Sequence, residues 1–111
     1  MNSEHERNAV VLKAFCNVTR LQVLERLRSG EKCACDLMDC IDVSQSNLSH
    51  HMKVLIESGV VRARQEGRWT FYSIDAEGAE RASALVCDLT KVVETAEPTR
   101  CCSGTFEGGD R

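Results

Sequence analysis

The sequence predicts a mainly α-helical domain carrying one small β-hairpin, and three observations lead there. Apolar residues recur at helical spacing in several short blocks, each bounded by a capping residue or a glycine. One stretch, Val60 to Ile74, switches to β-branched and aromatic residues on either side of Gln65-Glu66-Gly67. With 111 residues there is chain for one modest core and no room for a second. That core is built of Leu, Val, Ala and Ile, because 42% of the residues are apolar and only five are aromatic.

Residues 5–16, with Val10, Val11, Ala14 and Phe15, form a first helix. Asn17 caps a second, on which Leu21, Leu24 and Leu27 recur until Ser29-Gly30 stops it. Leu37 and Ile41 mark a short third helix, Asp36 to Ile41. Ser44 caps a fourth that runs to Ser58, with Gly59 just past its end and Leu48, Met52, Leu55 and Ile56 on its inner face. Val60–Arg64 and Arg68–Ile74 are the strands of the hairpin, with Gly67 at the turn. A last helix, Glu77 to Ala96, puts Ala82, Leu85, Val86, Leu89, Val92, Val93 and Ala96 on one stripe before Pro98. Two helices about a short turn, the second capped and polar outside, then an Arg-bearing hairpin: that order is a winged helix-turn-helix. Residues 1–97 are read as a DNA-binding and dimerisation domain, and 98–111 as a flexible cysteine-containing tail.

Charge is unevenly spread. The net charge of −3 argues against a general nucleic-acid coat protein. Residues 44–72, however, carry Lys53, Arg62, Arg64 and Arg68 against Glu57 and Glu66, a local +2, beside His50 and His51. A basic reader on an acidic body suits sequence-specific DNA binding. On the fourth helix Gln45, Asn47 and His50 are expected to read base edges, while Ser44, Ser46 and Ser49 suit phosphates. Lys53, Arg62, Arg64 and Arg68 are expected to hold the DNA backbone. The apolar stripe of the last helix exceeds what a small domain needs. With the first helix it is expected to form a homodimer, and the operator to be an imperfect inverted repeat.

Seven cysteines are present, with no apolar targeting segment at the start and no run long enough to span a membrane. A cytoplasmic, reducing location is therefore expected, where cysteines serve as ligands or redox groups rather than staples. Cys33 and Cys35 stand about ten residues ahead of the reader helix. On a regular helix they would point about 200° apart, whereas in an extended segment residues two apart share a side. A metal site there requires the chain before Asp36 to be extended, or the helix start to unwind, and either would disturb the reader. Cys101-Cys102 is the second candidate pair, in a polar tail where packing gives no reason for two thiols. Cys16, Cys40 and Cys87 are expected to be core residues, and His51 partly packed.

The chain resembles the ArsR/SmtB family of metal-responsive bacterial repressors, in its arsenic-sensing branch. Asn17-Val18-Thr19-Arg20-Leu21 is similar to the family's D-P-T-R-L, with Val18 where proline is usual. Glu31-Lys32-Cys33-Ala34-Cys35-Asp36-Leu37 resembles the E-L-C-V-C-D-L metal box. Ser44–Leu55 with Glu57–Val61 resembles the recognition helix and its exit, and Gly67–Tyr72 the wing. The resemblance spans roughly residues 8–95. It implies a homodimeric repressor, not an enzyme, that leaves its operator when As(III) or Sb(III) is bound by thiolates. Two departures stand out: Met38 occupies the place of a third cysteine, and the last helix has no histidine for a zinc site. Cd(II) or Pb(II), which also favour thiolates, and a persulfide or oxidant bridging two cysteines are the alternative inducers. A thiol oxidoreductase is disfavoured, since no Cys-x-x-Cys stands beside a βαβ pattern.

Overall fold

Ser3 opens the first helix with a reciprocal cap: its Oγ accepts from the Glu6 amide at 3.1 Å, and its own amide donates to Glu6 Oε1 at 2.8 Å. The structure, a computed structural model, describes residues 3–94. α1 spans Glu4–Leu12 and tightens into a 3-10 turn, Lys13–Phe15. The expected single helix to Cys16 is thus shorter, because Asn17 must be extended (φ −152°, ψ 137°) to cap the second helix. That helix, α2, is Val18–Leu27, with Asn17 Oδ1 accepting from the Arg20 amide at 3.2 Å.

A two-residue strand, β1 (Lys32–Cys33), precedes α3 (Ala34–Cys40). The helix expected from Asp36 starts two residues earlier, and no signal in the sequence marks the strand. α4 (Gln45–Ser58) closes on Gly59 at φ 86°, a left-handed conformation that glycine adopts without a Cβ penalty. β2 (Val61–Glu66) and β3 (Trp69–Ile74) pair antiparallel with Glu66 opposite Trp69, so Gln65 and Glu66 belong to the strand and only Gly67-Arg68 turn. β1 adds to the other edge of β3, Lys32 opposite Tyr72 and Cys33 opposite Phe71, giving the order β1-β3-β2.

α5 spans Ala76–Leu89, capped by Asp75 Oδ1, which accepts from the Gly78 amide at 3.1 Å. Its expected run to Ala96 is not met among the described residues, since Thr90 to Glu94 lie outside the helix. Thr90 Oγ1 donates to the Val86 carbonyl at 2.8 Å, which competes with the next helical turn. Val92 and Val93 are 90% and 74% exposed, so no burial supports further helix. Gly78 sits where a Cβ would come 1.7 Å from the Gly59 carbonyl oxygen, which seats α5 directly on the α4–β2 junction.

The core lies between these elements, with Val23, Leu37, Met52, Leu55 and Val61 its largest fully buried side chains. Burying each leucine removes enough apolar surface from water to contribute about 1.5–3 kcal/mol. Ile56, expected inside, is 40% exposed, and Val54 is buried in its stead. α4 packs against both α1 and β2, and periodicity alone does not fix which flank of its apolar stripe they cover.

Candidate DNA-reading face and thiol site

α4 is presented by burial of Leu48, Met52 and Leu55, at 2%, 1% and 0% exposure. Ser44 Oγ accepts from the Asn47 amide at 3.2 Å, so the first turn starts where the sequence places it. Ser44, Gln45, Ser46, Asn47, Ser49, His50 and Lys53 are all exposed, and form one continuous polar face over the first turns. His51 is only half-buried and belongs to a different network. Arg20, itself buried, donates from Nη1 to His51 Nδ1 at 2.9 Å and from Nε and Nη2 to the Lys13 carbonyl at 3.2 and 3.0 Å. A guanidinium only donates, so His51 Nδ1 carries a lone pair and the ring proton sits on Nε2. Burial, then the Arg20 charge and His50, hold the His51 pKa below its ordinary 6.5. Sequence reasoning misses Arg20 as a site residue; an arginine on the inward face of α2 is the available signal.

The wing presents Arg62, Arg64 and Arg68, all exposed. Arg68 lies over the Trp69 ring at 5.7 Å, and Trp69 itself is 50% exposed. Arg64 is tied down. Its Nε and Nη2 donate to the two carboxylate oxygens of Glu31 at 2.8 and 2.9 Å, its Nη1 donates to Glu66 at 2.8 Å, and its guanidinium carbon is 4.6 Å from the Phe71 centroid. The hydrogen bond from Arg64 outweighs desolvation and lowers the Glu31 pKa.

Cys33 and Cys35 come together at the start of α3. Cys33 occupies the N-cap with extended backbone (φ −85°, ψ 164°) and is 8% exposed, while Cys35 is an exposed residue of the first turn. Their sulfurs and an Asp36 carboxylate oxygen all lie within 4.8 Å of one another. The extended cap resolves the 200° difficulty: only one of the two cysteines is helical, so the side chains converge with the helix start formed. The Cys33 amide also donates to Asp36 Oδ2 at 3.4 Å. Cys35 has a raised pKa, first through its hydrogen bond with the Cys33 sulfur, then through desolvation and nearby negative charge. Two soft sulfurs with one carboxylate fit a thiophilic ion. Asp36 is an addition to the expected set, and its position three residues after Cys33 is legible as that of a cap partner. Cys101 and Cys102 lie outside the described residues.

Three further thiols depart from expectation. Cys16, Cys40 and Cys87 are exposed rather than core: Cys16 lies just past the 3-10 turn, and Cys40 and Cys87 face outward on their helices while Leu37 and Ala82 are buried. Met38, in the place of a third local thiol, packs against the core. No helix among the described residues is long and apolar enough to cross a membrane.

Residues 17–63 match the sequence profile of the arsR family of bacterial regulatory proteins. The arsenical resistance operon repressor of Staphylococcus aureus is 39% identical over 105 residues, covering 92% of this chain and 93% of that protein. The chain belongs to the arsR family. This arsR-family protein is also 37% identical over 70 residues to a cadmium resistance transcriptional regulatory protein homolog of S. aureus, covering 62% of this chain and 58% of that one. The crystal structure of a possible transcriptional regulator for arsenical resistance superposes with a TM-score of 0.66 at 32% identity, covering 71% of this chain and 82% of that one. The winged helix-turn-helix expected from sequence is thus the family's own fold.

Proposed function

We propose that this arsR-family protein is a cytoplasmic transcriptional repressor that binds operator DNA as a homodimer and releases it when As(III) or Sb(III) is held by cysteine thiolates. The observation that carries the reading is the convergence of Cys33, Cys35 and Asp36 within 4.8 Å, one short helix ahead of α4. Ligation at the first turn of α3 acts on the segment that positions the reader. As(III) commonly takes three thiolates, and Met38 denies a third one locally, so Cys101 or Cys102 is assigned to complete the site. Ser44, Gln45, Ser46, Asn47, Ser49, His50 and Lys53 contact DNA from α4, and Arg62, Arg64 and Arg68 from the wing. Dimerisation through the first and last helices uses the apolar surface that Val10, Phe15, Val86 and Leu89 leave 38–47% exposed, and it matches an operator that is an imperfect inverted repeat.

A Cd(II)- or Pb(II)-responsive repressor is the second reading, favoured by the Asp36 oxygen in the donor set. The test is release of a DNA fragment from upstream of the coding region, titrated with As(III), Sb(III), Cd(II), Pb(II) and a persulfide. Release by As(III) or Sb(III) at the lowest concentration supports the first reading. Release by cadmium or lead alone replaces it with the second, and release by persulfide alone makes the protein a redox sensor.

A further inference from the structure

We infer that Glu31 is a positioning residue that aims the wing and reports the state of the Cys33/Cys35 thiol pair to it. The inference rests on the proposed repressor function, and a row of residues across the sheet carries it. Cys33 on β1 lies opposite Phe71 on β3, and Phe71 lies opposite Arg64 on β2. Arg64 stacks on Phe71 and reaches past it to Glu31, two residues ahead of Cys33. The strand bearing the first thiol is therefore fastened to the wing twice, by backbone pairing to β3 and by a two-point guanidinium–carboxylate contact to β2.

An exposed ion pair of ordinary geometry contributes little. Here Arg64 is 52% and Glu31 35% exposed, yet all three guanidinium nitrogens are engaged and the ring beneath restricts their motion. Two parallel hydrogen bonds fix orientation as well as distance. The consequence is geometric more than energetic. A thiophilic ion gripping Cys33 and Cys35 draws the two sulfurs together and shifts the chain at β1. That shift moves Glu31, and Arg64 with the wing must follow or let go. With no ion bound, the clamp holds the wing in the arrangement that meets DNA.

The experiment uses the full-length protein and the upstream DNA fragment. Fluorescence anisotropy gives DNA affinity with and without As(III), and thiolate-to-arsenic absorbance in the ultraviolet gives As(III) uptake directly. Coupling between two sites typically changes affinity about 5–150-fold and is reciprocal, so bound DNA must weaken As(III) uptake by the same factor. Glu31→Gln keeps the side-chain shape and removes the charge. It is expected to leave As(III) uptake by free protein within about twofold while cutting the coupling factor at least about fivefold, in both directions of measurement. Glu31→Asp, which keeps the charge on a shorter stem, is expected to restore part of that loss. A role confined to holding the fold would move neither the reciprocal factor nor the rescue. Undiminished coupling in Glu31→Gln, with As(III) still taken up, overturns this inference alone. So does tighter DNA binding with unchanged coupling, which would make Glu31 a mere competitor for a phosphate contact. A wild-type protein whose Cys33 and Cys35 take up no As(III) overturns the functional reading, and the inference falls with it.

Discussion

Replacing Arg20 by methionine keeps an unbranched stem, two atoms shorter, in the buried slot on α2 and removes every donor. Three hydrogen bonds are lost: two to the Lys13 carbonyl and one to His51 Nδ1. The Lys13 carbonyl still accepts from the Cys16 amide at 3.2 Å, whereas His51 is half-buried and its ring nitrogen is left facing an apolar side chain. A hydrogen bond from a charged group contributes about 1.5–3 kcal/mol, and an abandoned buried acceptor costs about 1–3 kcal/mol. Removing the buried cation itself returns part of this, because its desolvation is no longer incurred. A net loss of about 2–3 kcal/mol is expected, against a typical total of about 5–15 kcal/mol. Arg20→Lys should recover less than half, since one ammonium cannot span a carbonyl on the 3-10 turn and an imidazole on α4 together. Urea denaturation at fixed protein concentration measures both. The pH dependence supplies a second check. A histidine whose folded-state pKa lies below 6.5 contributes stability that is fully present above that value. The contribution is lost as pH falls from about 6.5 through the lowered folded-state value. Without the Arg20 charge the His51 pKa moves back up and this acid sensitivity shrinks. Equal stability of wild type and Arg20→Met to within about 0.5 kcal/mol, with the same acid profile, would refute the role of Arg20 as the tie between α4 and the 3-10 turn.

Cys33→Ser and Cys35→Ser are expected to bind DNA but to keep it in the presence of As(III); variants that still respond would move the sensor elsewhere. Because Cys35 has a raised pKa and must give up its proton to bind a hydrated cation, Cd(II) uptake should weaken steadily as pH falls, as absorbance titrations at several pH values would record. Deletion from Thr99 onward should weaken As(III) binding without lowering the melting temperature. Equal affinity would show that Cys101 and Cys102 supply no ligand. Arg62→Ala and Arg68→Ala should weaken binding on all DNA sequences and flatten its salt dependence, by about one unit of log–log slope for each phosphate contact, whereas Asn47→Ala should relax base preference. Gly78→Ala must move backbone at Gly59 to make room for its Cβ, and its unfolding midpoint should drop by an amount corresponding to about 1–3 kcal/mol.

Local rules govern what can be read from the chain by itself. Ser44, Asn17 and Gly59 act through hydrogen bonds or backbone conformations a few residues long, so α2 and α4 start and stop where the sequence places them. The hairpin is legible for the same reason, and the polar face of α4 comes from helical periodicity. The reciprocal Ser3–Glu6 cap is equally local, and it starts α1 at Glu4, one residue ahead of the expected start at residue 5. What only the tertiary structure decided involves partners far apart in sequence. β1 exists because β3 offers it an edge, and that pairing makes Cys33 extended while Cys35 is helical, which is why two thiols at an unfavourable helical spacing converge. Arg64 meets Glu31 across 33 positions and Arg20 meets His51 across 31, contacts that no periodicity encodes. The exposure of cysteines is of the same kind: whether Cys16, Cys40 and Cys87 face inward depends on which side of each helix the rest of the fold covers. Composition and spacing determine what each segment can form. Which groups then face one another is set by packing, because burial and side-chain pairing are properties of the assembled chain.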